Sequence, residues 1–434
     1  MSRSLFYDIG MWRACIFLSL VAVWTAVAWG RAADEGGPGS SLRMLNAGVV
    51  NYPSAAVFGG ENRGDGVSEA IARLTVSGRP AGWAGYEVHA LGSAGFSTAG
   101  GAELAGLSLI AGGHRYRVLS EEREWGDGDF RARLGLDRVN VKFAFPFADL
   151  TVGRQAITFG QAWFWNPLDV FSPFDPRSFD RDYKPGVDAL RLDVPLGDFG
   201  GCNVVAVGGG TQAPDGGYGD ACWLSTWTGS ALLGRVYGTV AGWDAAVQGG
   251  KVYGGYEAGA GASGEAGPLE ARGEVSWFFS KASDSIPSNP SLSMLADSFT
   301  GVAGLGRRLT DKVSLEGEYL YNGAGLPGNL DAAAWRVATG NALHMGRHIA
   351  GFMVSWEATA LLKTRLTCIY SFSDRSAALQ PGLTYSVSDE SELSAGAAIN
   401  SGRRPSVAGS GLPFPRSEFG SNPDVYYIEY KVYF

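Results

Sequence analysis

The feature that most constrains this chain is a two-residue rhythm of apolar and polar side chains that recurs along most of its length and runs to the last residue. The closing stretch reads PDVYYIEYKVYF. Its even positions are Tyr426, Ile428, Tyr430, Val432 and Phe434; its odd positions include Glu429 and Lys431. Successive side chains of a strand point to opposite faces, so this segment is a strand with one continuous apolar face. The same pattern recurs upstream. Val313, Leu315, Tyr319 and Tyr321 oppose Ser314, Glu316 and Glu318, and Leu362, Leu366, Cys368 and Tyr370 oppose Lys363, Arg365 and Thr367. Phe130, Ala132 and Leu134 alternate with Arg131 and Arg133. Near Asp137 the phase switches, and Val139, Val141 and Phe143 then alternate with Arg138, Asn140 and Lys142.

The connections between these strands alternate in length. Short polar turns fall at 146–149, 196–199, 309–311, 357–360 and 388–390; long polar or Gly-rich ones fall at 160–186, 209–221, 281–296, 322–345 and 401–423. Short turns, long loops, one apolar face and one polar face are the pattern of a transmembrane β-barrel. In lipid only helices and closed barrels satisfy every backbone group. Outside the N-terminus there is no apolar run long enough for a spanning helix. The charged fraction of 18% is below the ~25% typical of soluble domains. The 64 glycines show no collagen period and argue against helices, where each costs about 1 kcal/mol. The expected fold is therefore all-β, a single transmembrane antiparallel barrel of about 16–18 strands, with short periplasmic turns and long extracellular loops. Counting back from Phe434 gives eighteen, with strands at 113–122, 82–91 and 69–77 the first three in chain order.

Residues 1–33 read as an export signal. Arg3 and Arg13 precede or flank the apolar run ACIFLSLVAVWTAVAW, and small residues follow at Ala32 and Ala33. The segment 34–66 is Gly-rich and weakly patterned, a periplasmic tail or an inward plug, and 67–434 is the barrel. A C-terminal aromatic such as Phe434 resembles the signal that outer-membrane barrels present to their insertion machinery. Three cysteines remain in the exported chain, too few for a disulfide framework. A hairpin centred near Gln212 would bring Cys202 opposite Cys222, within reach of a bridge in an oxidising compartment.

The densest local signal lies at 150–197, where a strand enters a loop rich in Trp, Phe, Pro and Asp and a second strand leaves it. Long loops without regular structure are uncommon and often functional, and aromatic residues favour burial. Two placements are open. The loop folds into the lumen as a constriction, with Asp169, Asp175, Arg177, Asp180, Arg181, Asp182 and Lys184 at or near the eyelet, or it caps the outside. Inward positions of the strands add a basic group of Arg131, Arg133, Arg138, Lys142, Arg191, Lys363 and Arg365. An acidic group contains Glu316, Glu318, Glu392 and Glu429. A lumen of mixed sign discriminates modestly, because rings of one sign are what select strongly; the balance leans towards anions.

The segments GRQAITFG, NPLDVFSP and GVDALRLDVPLG, between residues 153 and 197, resemble the strand–loop–strand block of large proteobacterial outer-membrane barrels of the alginate-export type and related uncharacterised porin-like families. The resemblance implies a wide monomeric barrel passing a solute or a polymer. An alginate conduit would call for a strongly basic lumen.

No catalytic constellation is visible, and the chain is not expected to be an enzyme or to carry a cofactor or metal. His344 and His348 flank an expected strand start, not a helix, and so read as loop and interface residues. The Gly-rich stretches lack the Lys-Ser/Thr of a phosphate loop, and the net charge of −8 disfavours nucleic acid. The sequence thus points to an outer-membrane channel for passive passage of small hydrophilic solutes, with lipid and the insertion machinery as partners. Two alternatives remain: a barrel sheathing a periplasmic partner such as a multihaem cytochrome, and a polysaccharide export channel.

Overall fold

The two-residue alternation becomes strands wherever one face can meet lipid and the other the barrel interior. The computed structural model describes residues 40–51, 64–98, 114–118, 122–171, 173, 176, 183–212, 223–281, 295–338, 342–407 and 413–434. The expected export signal, residues 1–33, lies outside them. The barrel strands are β1 (Ser41–Val50), β2 (Asp65–Ala81), β3 (Ala84–Ser97), β4 (Phe130–Phe145), β5 (Ala148–Gln155), β6 (Val187–Pro195), β7 (Gly200–Val207), β8 (Ala231–Val240) and β9 (Trp243–Val252). They continue as β10 (Gly255–Ala266), β11 (Leu269–Ser280), β12 (Ser298–Thr310), β13 (Val313–Asn322), β14 (His348–Glu357), β15 (Leu362–Ser371), β16 (Ser376–Ser388), β17 (Ser391–Ser401) and β18 (Asp424–Tyr433).

Each strand pairs antiparallel with its sequence neighbours, and β18 pairs with β1, so the sheet closes. The result is an 18-strand antiparallel barrel. A further short strand, Arg123–Asp127, lies along the loop end of β4. Closure leaves no edge with unpaired backbone groups, the condition for crossing a bilayer with strands. One end carries turns of two to four residues, and the other carries the long loops. Two connections at the long-loop end are short, at 253–254 and 372–375. Among the described residues the α-helix is the single segment α1 (Leu330–Ala338), within the loop before β14.

The faces follow the alternation. Leu74, Tyr86, Val141, Leu190, Val247, Trp277, Leu305, Phe352, Leu383, Tyr426 and Ile428 are exposed on the outside. Their neighbours one residue away point inward. The even face of the C-terminal strand is thus the lipid face. The phase switch near Asp137 is a β-bulge: His89 pairs with Arg138 and Ala90 with Leu136, leaving Asp137 unmatched. The bulge turns Asp137 into the interior, where it meets Arg117 at 2.9 Å and Arg73 at 3.9 Å.

Two expectations for the N-terminal third are corrected. Residues 41–50 are neither tail nor plug but the first barrel strand, bonded to the last from Ser41↔Tyr433 to Val50↔Asp424. The rest of the Gly-rich segment up to residue 63 lies largely outside the described residues. Conversely, 113–122 is not a strand. Its described part holds a single helical turn, His114–Tyr116, whose Tyr116 packs in a buried cluster with Phe159, Phe171 and Tyr253. Arg117 donates to Asp137 and Glu122. The expected total of eighteen strands holds because these two differences offset.

Candidate functional site: a loop held inside the barrel

The strand β5 ends at Gln155, and the chain then turns into the lumen along the wall formed by β8 to β14. Ile157, Phe159, Phe164, Trp165, Leu168 and Phe171 are all buried. Room for them is made by glycines at inward wall positions. A Cβ on Gly306 would lie 2.7 Å from the Trp163 ring, and one on Gly304 3.0 Å from it. A Cβ on Gly351 would lie 3.0 Å from Phe164, and one on Gly261 2.9 Å from Leu168. The ring of Trp163 also stacks under the guanidinium of Arg272, 4.1 Å from the centroid.

A loop folded away from water must still satisfy its backbone N–H groups. Inward carboxylates supply the acceptors. Glu318 on β13 accepts from Trp163 N at 2.8 Å, Phe164 N at 3.1 Å and Trp165 N at 2.8 Å. Glu274 on β11 accepts from Gln161 N, from Ala162 N at 3.1 Å and from Leu168 N at 3.2 Å. Loop carbonyls are met in turn: Arg235 donates to Phe159 O, Gln248 to Leu168 O and Arg272 to Gln161 O. Further along, the ring of Tyr183 lies 3.3 Å from the Arg73 guanidinium carbon and 4.4 Å from that of Arg138, and its hydroxyl bonds His89.

The expected site residues divide by what surrounds them. Glu318 faces inward but does not reach open lumen, because three loop amides cover its carboxylate. Asp169 and Lys184 are not at an eyelet either: they form a buried ion pair with each other. Burial pushes the Asp169 carboxyl up to about 6 against the pull of Lys184, and lowers the Lys184 ammonium. Several inward charges are tied to neighbours. Lys142 pairs with Asp149 at 2.7 Å, Arg191 with Asp193 at 2.8 Å and Glu392 with Lys431 at 3.2 Å. Arg138 reaches Glu87 and the Lys184 carbonyl. Glu316 is half-buried. In contrast, Arg131 and Arg365 are exposed on the inward face and Arg133 half-buried, with no salt-bridge partner among the described residues, although Arg133 lies within the electrostatic reach of Glu69. Lys363 is exposed, 3.9 Å from Glu357. Asp175, Arg177, Asp180, Arg181 and Asp182 lie outside the described residues.

The expected Cys202–Cys222 pairing does not follow from this topology. Cys202 lies opposite Val236 of β8 and Val194 of β6, on the lipid-facing parity, and its thiol is free. Cys222 is outside the described residues. Phe434 donates its N–H to Ser40 O at 2.9 Å, completing the seam between first and last strands. The sequence reading missed Glu274, Arg235, Gln248 and Arg272, though each shares the inward parity of its strand and the pattern marked it as interior.

No protein-family model matches this sequence, and no curated protein matches it. Solved structures do match in shape. OccAB3 of Acinetobacter baumannii superposes with a TM-score of 0.53 at 11% identity, covering 91% of this chain and 98% of that one. OpdK of Pseudomonas aeruginosa with vanillate gives 0.52 at 10% identity, with 91% and 97% covered. OccK2 (OpdF) of Pseudomonas aeruginosa with glucuronate gives 0.51 at 10% identity, with 91% and 96% covered. The chain therefore has the fold of the outer-membrane porins, and its apolar exterior places it in the outer membrane. The likeness supports the porin-like barrel that the 153–197 block suggested, without singling out the alginate-export type.

Proposed function

We propose that this protein is a passive channel for small hydrophilic solutes, that its inward loop narrows the lumen, and that it favours anions. One observation carries the reading. The carboxylates of Glu274 and Glu318 are covered by loop amides, while Arg131 and Arg133 on β4 and Arg365 on β15, next to the wall, have no salt bridge among the described residues. On this reading the guanidinium groups outnumber the carboxylates left to the open side of the lumen, where Glu69 sits near Arg133 and Arg43, although the chain as a whole carries −8. Field lines concentrate in a narrow pore with low-dielectric walls, so a few uncompensated guanidinium groups suffice to bias passage. The neighbours OpdK and OccK2, solved with vanillate and glucuronate, make small carboxylates the first solutes to try. The loop also occupies space that a sheathed partner or a polymer would need, which weighs against the two alternatives.

The test is conductance of the refolded chain in a planar bilayer, with the reversal potential measured in a salt gradient. Stable steps with a reversal potential of the anion-selective sign support the reading. An inserted but silent protein refutes the channel, and a cation-selective sign refutes the charge argument.

A further inference from the structure

The inward loop is also held from the loop end of the barrel, by a chain of buried polar groups that the strand anchors do not require. Trp165 donates its indole Nε1–H to His344 Nε2 at 2.8 Å. The other ring nitrogen, His344 Nδ1, lies 3.0 Å from Glu418 Oε1. Glu418 Oε2 accepts from Met345 N at 2.6 Å and Gly346 N at 2.9 Å, so one carboxylate grips the His344 segment at ring and backbone. Glu418 N donates to Asp374 Oδ2 at 2.6 Å, and Asp374 Oδ1 accepts from Ser376 at the start of β16. On the opposite side Asn322, the last residue of β13, donates to the His344 and Gly346 carbonyls, both at 2.9 Å. His344 and Trp165 are essentially inaccessible to water, and Glu418 is 2% exposed. Four segments distant in sequence (156–171, 342–347, 372–376 and 417–419) thus meet at one imidazole.

An indole N–H can donate but not accept. His344 Nε2 must therefore carry a lone pair, and the ring's single proton sits on Nδ1, directed at Glu418. This arrangement exists only for the uncharged imidazole. A second proton at Nε2 would face the Trp165 N–H donor to donor, and the bond between loop and outer rim would be lost. The ionisable groups around the ring are Glu418 in direct contact, Asp374 behind Glu418, Glu318 beneath the Trp165 backbone and Arg347 three residues along the chain; Phe419 and Trp165 supply apolar edges. Histidine is the side chain whose charge ordinarily changes between about pH 5 and 8.

We propose that His344 and Glu418 are positioning residues that latch the inward loop to the outer rim through Trp165, and that acidification opens this latch by placing a proton on His344 Nε2. The proposal rests on the loop being the channel's constriction, and it adds control of that constriction from outside. A glutamine at 344 separates it from a purely structural role. Its carbonyl accepts from Trp165 and its amide donates to Glu418, but it does not titrate. A phenylalanine at 165 removes the donor at any pH.

The experiment is hydrogen exchange of the full chain in micelles at pH 7.5 and 5.5, read on peptides spanning 157–171, with conductance recorded alongside. Comparing variants at one pH cancels the intrinsic exchange chemistry. At pH 7.5 the native chain and His344→Gln are expected to be equally protected. At pH 5.5 the native chain should exchange at least tenfold faster than His344→Gln, and Trp165→Phe should exchange fast at both. Equal exchange of native chain and His344→Gln at both pH values overturns the latch. If His344→Gln does not refold, Trp165→Phe decides: protection equal to the native chain's at pH 7.5 overturns it, and rapid exchange supports it. A silent bilayer with the expected exchange pattern refutes the channel reading and leaves the latch standing.

Discussion

Replacing Glu318 by Gln tests whether the inward carboxylates hold the loop. In the native chain Oε1 accepts two amides, from Phe164 and Trp165, and Oε2 accepts that of Trp163. Glutamine has the same shape but only one carbonyl oxygen. In its better rotamer it keeps two acceptances, now uncharged, and turns an NH₂ towards the Trp163 N–H. A hydrogen bond to a charged group contributes about 1.5–3 kcal/mol, and an orphaned buried donor costs about 1–3 kcal/mol. These terms overlap, so the net loss is about 2–3 kcal/mol, a shift of roughly 30- to 140-fold in the docked-to-undocked ratio. The strand itself is unaffected, because the backbone pairs of Glu318 with Gly304 and Gly351 do not involve the side chain. The assay is single-channel recording at fixed voltage. Glu318→Gln should show frequent excursions to a second conductance level that are rare in the native channel, with matching loss of amide protection at 163–165. A variant indistinguishable from the native channel in both measurements would refute the claim that this carboxylate fixes the loop.

Crowding the wall should act in the same direction by a different route. Gly306→Leu drives carbon into the Trp163 ring, where a Cβ alone would sit at 2.7 Å, and overpacking of this kind costs about 1–3 kcal/mol; the Trp163–Arg272 stacking should be lost in a crystal structure or by crosslinking. Arg133→Glu with Arg365→Glu should reverse the sign of the reversal potential, and an unchanged sign would remove these residues from the selectivity argument. Lys184→Met alone should destabilise the fold by about 3–5 kcal/mol, whereas Asp169→Leu with Lys184→Met should cost far less, because the pair offsets its own burial only while both members are present; urea titration in micelles measures both. Asp169 should also leave a pH signature. Its carboxyl is raised from 3.8 to about 6, so between these values the folded chain holds a proton that the unfolded chain releases. The stability contribution of this group therefore falls as pH rises from 4 to 6, and the stability difference between the native chain and Asp169→Asn should change across that window and stay flat above it.

The sequence by itself determined the barrel, because alternation with a period of two assigns every strand residue to lipid or interior without reference to its neighbours. That is why the parity of Arg131, Arg133, Lys363 and Arg365 is readable from the sequence, and why the phase switch at Asp137 coincides with a β-bulge. The same logic explains the errors. In β1, Leu42 and Met44 share a face with Asn46 and Gly48, while Arg43 shares one with Leu45 and Val49. Neither face is uniformly apolar, so the strand left no alternating trace; pairing with β18 and β2 created it. Around His114 the order His-Arg-Tyr-Arg-Val imitates a strand, but Tyr116 and Arg117 are buried by contacts with Phe171 and Asp137 across the fold. Only the tertiary structure decided what the interior charges do. Glu318 and Glu316 are indistinguishable by pattern, both inward on β13, yet the first is covered by three loop amides and the second is not. Which carboxylate meets the loop depends on where a chain segment more than a hundred residues away settles, and that is fixed by the space left at Gly304, Gly306 and Gly351 rather than by any local periodicity.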